Sequence, residues 1–130
     1  MTPEIYLAKA RRALASAHLR LENDDIEGAC NRAYYAMFDA AHAALLCYQP
    51  RLNPAEIRTH SGLITAFGKH LIKNGPIAPE LGRALNQVEH IRLLADYTGE
   101  EIETDKAAWV IAQATLFVDA MHHQHNPKTP

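Results

Sequence analysis

Apolar side chains recur every three or four positions along most of the chain, and the breaks in that pattern fall at residues that start or stop helices. Thr2-Pro3 reads as a cap followed by proline at the first helical position. Leu7, Ala10, Leu14, Ala17 and Leu21 then mark one face of a helix that should run to about Glu22. Asn23-Asp24-Asp25 breaks this helix and caps a second that continues to about Cys47. Asn53-Pro54-Ala55-Glu56 predicts the start of a third, and Asn74-Gly75-Pro76 its stop. A fourth should span about Pro79 to Tyr97. A fifth should begin after Thr104 or Asp105, with Ala107, Val110, Ile111, Ala114, Phe117, Val118 and Met121 on its apolar stripe. No alternating strand pattern competes. Short connections between long amphipathic helices predict an all-α, up-and-down bundle of four to five helices, with residues 1–121 as one domain and 122–130 as a frayed tail.

Within this pattern the second helix stands apart, because ACNRAYYAMFDAAHAALL (29–46) is apolar almost all round yet carries a line of polar groups. Arg32, Tyr35, Asp39 and His42 fall at i, i+3, i+7 and i+10 and share one face, while Tyr34, Phe38, Ala41 and Leu45 join the apolar cover. Two other apolar stripes are interrupted in the same way. His60 lies on the stripe of Ile57, Ile64, Phe67 and Leu71, and Arg92 on that of Leu81, Leu85, Val88 and Ala95. An arginine withdrawn from water needs a partner, and Asp96 or Asp39 can supply it. Three helices thus bring polar groups toward one core or groove. The set reads either as a functional groove or as an ion-pair network that fixes helix register.

At 130 residues the chain suits one domain, and 48% hydrophobic with 22% charged residues excludes general disorder. Cys30 and Cys47 lie about five turns apart on one helix, too far to bridge, and read as reduced thiols of a cytoplasmic protein. Neither a signal peptide nor a membrane span is expected. The net charge of −2 hides an uneven distribution, since residues 51–92 hold six Lys/Arg against three Asp/Glu and also contain His60, His70 and His90. That segment suits a phosphate-bearing ligand or a solvated basic face. The eight histidines form no HExxH, and there is no paired-cysteine motif, so neither metal nor cofactor is expected. Trp109 and Leu116, off the main stripe of the last helix, read as core against a neighbouring helix or as a second contact surface.

Three blocks, NRAYYAMFDAAHAALL (31–46), THSGLITAFGKHLIKNG (59–75) and RLLADY (92–97) followed by a helix ending in ATLFVDAM, together resemble the HEPN domain proteins of bacteria and archaea. The resemblance implies an all-α bundle that commonly forms homodimers and is often encoded beside a minimal nucleotidyltransferase as a toxin–antitoxin pair. Many such proteins are metal-independent ribonucleases with an Arg-x4-6-His motif in a cleft between two copies. In that chemistry the histidine serves as acid or base for attack of a ribose 2′-hydroxyl on its own phosphate, and the arginine holds the phosphate. Here the motif reads Arg92-x4-Tyr97, and tyrosine is a poor base at neutral pH. Arg83 and His90 satisfy the spacing, but so do Arg11 or Arg12 with His18. His60, in the THSG block, is the better substitute. The expected catalytic set is Arg92, Tyr97, Asp96 and His60, with Arg32, Tyr35 and Asp39 as binding residues. The alternative is a non-catalytic module that binds a nucleotide or a protein, in which Tyr97 receives a nucleotide from the partner enzyme.

Overall fold

The computed structural model describes residues 2–125, and most of its helices begin where a side chain or a proline satisfies the first turn. In α1 (Pro3–Glu22) the Thr2 hydroxyl accepts from the Ile5 N–H, and Pro3 occupies the first turn, where no amide donor is needed. The chain reverses over three residues, with Asp24 left-handed at φ 60°. In α2 (Ile26–Tyr48) the Asp25 carboxylate caps the Gly28 N–H at 3.0 Å and pairs with Arg20 at 2.8 Å. Arg20 and then the Gly28 amide hold the Asp25 carboxyl below the usual carboxylate range. Tyr6, near the start of α1, stacks on His42, near the end of α2, so the two helices are antiparallel.

The third expected helix is divided. Pro54–Ile57 forms one tight 3-10 turn under the Asn53 cap, the chain bends, and α3 (His60–Phe67) starts under a second cap, with the Thr59 hydroxyl accepting from the Gly62 N–H at 3.0 Å. Thr59 meets the requirements of a helix cap as well as Asn53 does, and the two cannot serve one continuous helix. Gly62 makes the junction possible, because a Cβ there would stand 2.2 Å from the Glu56 carbonyl oxygen. Beyond Phe67 the helix widens into a π-type turn over Gly68–Lys73, closed by the Asn74 side chain on the Lys69 carbonyl.

The last two helices are α4 (Pro79–Thr98), which stops at Gly99 with φ 71°, and α5 (Thr104–His125). Glu101 and Ile102, between them, lie beside Ile26 at the start of α2, so α4 runs antiparallel to α2 and α5 parallel to it. The far end of α5 agrees, since the Tyr48 hydroxyl donates to Gln124 at 2.8 Å and Arg11 pairs with Asp119 at 2.6 Å. Helices α1, α2, α4 and α5 therefore alternate in direction, and the short α3 packs against α2 and α4. The architecture is the expected all-α bundle.

Helix α2 is the centre of the bundle. Ala29, Ala33, Ala36, Ala40, Ala41, Ala43 and Ala44 are all buried, small enough to let neighbouring helices approach closely on several sides. Two expectations change at α5. Trp109 and Leu116, read first as core, are 38% and 61% exposed, with Lys106 over the Trp109 ring. The helix also continues through His122, His123 and His125 instead of fraying there, and His125 meets Cys47 Sγ at 3.1 Å. Residues 126–130 of the expected tail lie outside the described residues.

Candidate functional site

The polar groups of α2, α3 and α4 converge on one side chain, Tyr34, which is fully buried. Its hydroxyl lies 2.7 Å from His60 Nδ1 and 3.1 Å from Glu89 Oε2. A carboxylate only accepts, so the Tyr34 O–H donates to Glu89 and its oxygen accepts from His60 Nδ1–H. In the neutral form of the ring, that chain of hydrogen bonds puts the proton on Nδ1 and leaves Nε2 without one. Among the described residues Nε2 makes no hydrogen bond. Phe38 holds the imidazole from another side, with ring centroids 4.9 Å apart.

Arg92 packs on the same tyrosine. Its guanidinium carbon is 4.6 Å from the centre of the Tyr34 ring and 5.8 Å from that of Tyr35, and Nη1 reaches Asp96 Oδ2 at 3.2 Å. The arginine side chain is only 12% exposed and its Nε is enclosed without a partner among the described residues, whereas Asp96 is half exposed. Burial, reinforced by the charge of Glu89 and its hydrogen bond, pushes the Tyr34 phenol well above its ordinary range despite the nearby arginine. Tyr34 therefore stays protonated and works as a fixed bridge.

Above these residues lies an open groove of about 700 Å³, walled by Thr59, His60 and Ser61 on one side and by Glu89, Arg92, Leu93, Asp96 and Tyr97 on the other. Its size is that of small-ligand sites in general. Tyr97 stands at the surface, 83% exposed, and donates nothing to the buried cluster. Arg92, Asp96, Tyr97 and His60 thus line one groove. Tyr35 lies beneath it, 5.7 Å from the His60 ring, and Arg32 flanks Tyr35 at 6.0 Å. Asp39 lies elsewhere, facing Lys9 and half-buried next to the Tyr6–His42 stack. The α2 face that carries these residues thus meets α3 at Tyr35 and α1 at His42, with Asp39 between the charges of Lys9 and Arg32. Among the described residues no group of three or more His, Cys, Asp or Glu side chains could hold a metal ion.

A sequence model of the HEPN domain matches residues 3–124. The chain belongs to the HEPN domain family. Similar proteins include one of Methanocaldococcus jannaschii named "Putative toxin", 36% identical over 110 residues that make up 85% of this chain and 78% of the relative. A UPF0332 protein of Thermotoga maritima is 34% identical over 91% of this chain and 86% of its own length. Another, of Gloeobacter violaceus, is 34% identical over 91% and 93%. The chain is thus a HEPN protein similar to one named as a toxin. Among the described residues no helix is long and apolar enough to cross a membrane.

Two residues of this HEPN site, Tyr34 beneath the groove and Glu89 on its wall, are not among the expected site residues. Tyr34 reads as apolar cover because an aromatic on a buried face usually is; its signal is the hydroxyl, which must find a partner once buried. Glu89 stands at i−3 from Arg92 and i−7 from Asp96, on the same face of α4.

Proposed function

We propose that this HEPN protein is the toxin component of a toxin–antitoxin-like pair, and that its groove binds RNA and cleaves it without a metal ion. The observation that carries this reading is the joint attachment of His60 and Arg92 to Tyr34, one by a hydrogen bond and the other by a cation–π contact. Arg92 Nη2, with no protein partner among the described residues, is suited to an oxygen of a phosphodiester. His60 Nε2 accepts the proton of a ribose 2′-hydroxyl, and the 2′-oxygen bonds to the adjacent phosphorus. The phosphorus–5′-oxygen bond then breaks, and the leaving oxygen takes a proton from water in the open groove. The products are a 2′,3′-cyclic phosphate and a free 5′-hydroxyl, and Arg92 offsets the charge that develops on the phosphate.

A second reading is favoured by one observation, that Tyr97 stands where the family's motif carries histidine. In that reading the groove binds RNA or a nucleotide without cleaving it. For partners we propose a second copy of the chain and a minimal nucleotidyltransferase, on the strength of family membership, and a cytoplasmic setting in keeping with the free thiols of Cys30 and Cys47.

The test is incubation of a mixed RNA pool with the purified full chain and its Arg92→Ala and His60→Ala variants, in EDTA and at matched concentration. Cleavage by the parent that both variants lose, with cyclic phosphate termini on the products, is the expected result. Binding without cleavage by the parent would replace the nuclease with the binding module.

A further inference from the structure

At Ser61 the Arg92 groove meets a second, smaller one of about 350 Å³, which runs along α3 into the π-type turn. Ser61 lines both. Thr65 and Lys69 follow it at steps of four residues along the same side, and His70 closes the far end. Lys69 makes no ion pair among the described residues, in contrast to Arg83, which Glu80 neutralises at 3.1 Å. Three carboxylates line the two grooves: Asp96 is paired with Arg92 and Glu89 accepts from the Tyr34 hydroxyl in the first, and Glu56 stands on the wall of the second.

We propose that the two grooves form one path for a single RNA strand, with one phosphate at Arg92 and a second phosphate of the same strand at Lys69 and His70. The proposal rests on the phosphate-binding reading of Arg92 above and adds to it the kind of substrate, a strand of several nucleotides rather than a mononucleotide. Both depressions are open grooves, as a strand that enters and leaves requires. The exposed Tyr97 offers a base a stacking surface beside Arg92, the sequence-tolerant contact that single-stranded nucleic acids use. A rigid duplex, with its bases already stacked on one another, has no use for that ring.

The test compares hexa-adenylate with the dinucleoside monophosphate ApA, which has a single phosphate, by NMR titration of the full chain. Lys69→Gln, an exposed position, should weaken the hexamer roughly five-fold and leave ApA unchanged. Its plot of log affinity against log salt should be shallower by about 0.7, the contribution of one phosphate contact on a single strand. Glu56→Gln should tighten the hexamer only. Arg92→Gln should weaken both ligands. If Lys69→Gln weakens both equally, or leaves the hexamer and the salt slope unchanged while Arg92→Gln still abolishes binding, the strand path is wrong and the phosphate site stands. If the parent protein binds neither ligand, both readings fall.

Discussion

Arg92 lies over the face of Tyr34 with its guanidinium carbon 4.6 Å from the ring centre, and it reaches the half-exposed Asp96 at 3.2 Å. The two contacts differ in what they leave behind when the arginine is removed. Asp96, 51% exposed, is solvated by itself, so no buried charge is stranded. Truncation also removes an enclosed Nε that has no partner among the described residues. Arg92→Ala should therefore lower stability by only about 1–2 kcal/mol, from the lost cation–π contact and a weak ion pair. Urea unfolding measures this directly. A loss of about 3–5 kcal/mol would make the pair a structural element instead of part of a ligand site.

Tyr34→Phe isolates the bridge from the ring. The phenyl group keeps the packing and the contact with Arg92, but His60 Nδ1 and Glu89 lose their shared partner. The expected loss is about 1–3 kcal/mol, the penalty for polar groups left unsatisfied. Nitrogen-15 NMR of His60 should show the proton on Nδ1 in the parent protein and a shift toward the other tautomer in the variant. An unchanged tautomer would mean that Tyr34 does not set the ring's proton, and the proposed base at Nε2 would lose its basis.

Much of this architecture is legible in the sequence because helix ends carry local chemistry: Thr2-Pro3, Asp25, Pro79 and Gly99 each act where their residue types predict. The division of the third helix is not legible, since Asn53 and Thr59 both satisfy the requirements of a cap and only the packing of Gly62 under Glu56 decides between them. The polar line on α2 is a true helical face, but periodicity does not say that two neighbours divide it. Tyr35 packs beneath the groove against His60 with Arg32 beside it, while His42 stacks on Tyr6 of α1 and Asp39 lies between the charges of Lys9 and Arg32. The polar role of Tyr34 is not legible for a related reason, because a buried aromatic and a buried hydrogen-bonding phenol look alike until the partner's position in space is known. The outward turn of Trp109 and Leu116 is likewise a property of the bundle, where α5 meets neighbours on one stripe only.

Glycine substitutions test the α3 junction. Gly62→Ala would place a methyl group 2.2 Å from the Glu56 carbonyl and 2.8 Å from Thr59 Oγ1, and the carbonyl is fixed by the preceding turn. A loss of about 1–3 kcal/mol is expected, together with displaced NMR signals of His60, since the helix start has to move. Gly68→Ala is the control. Its backbone is helical at φ −62° and ψ −42°, and a Cβ there meets nothing within 4 Å. That variant should be neutral or more stable by about 0.5–1 kcal/mol, as expected for alanine in place of glycine in a helix. Equal losses at both positions would remove the steric argument.

The α1-facing half of the polar line predicts two opposite dependences on pH. Burial, then the charge of Lys9, depresses the His42 imidazole below its ordinary value, and its Nδ1 is enclosed without a partner among the described residues. The unfolded chain therefore binds this proton more readily, so the contribution of neutral His42 is complete above about pH 6.5 and is lost as the pH falls through that value. His42→Phe keeps an aromatic ring against Tyr6 and removes the titration, so parent minus variant stability should fall between pH 7.5 and 5. Asp39 has the reverse sign. Burial raises its carboxyl, and Lys9 and Arg32 only partly oppose the shift, so the native state holds its proton more tightly than the unfolded chain. Stability from the protonated form is present at low pH and lost as the pH rises from about 3.9 through the raised native value. Asp39→Asn should accordingly be more stable than the parent at pH 7, with the difference vanishing below about pH 4. Urea midpoints across this range read both effects, and an Asp39→Asn variant less stable at pH 7 would show that Lys9 and Arg32 outweigh the burial of the carboxylate.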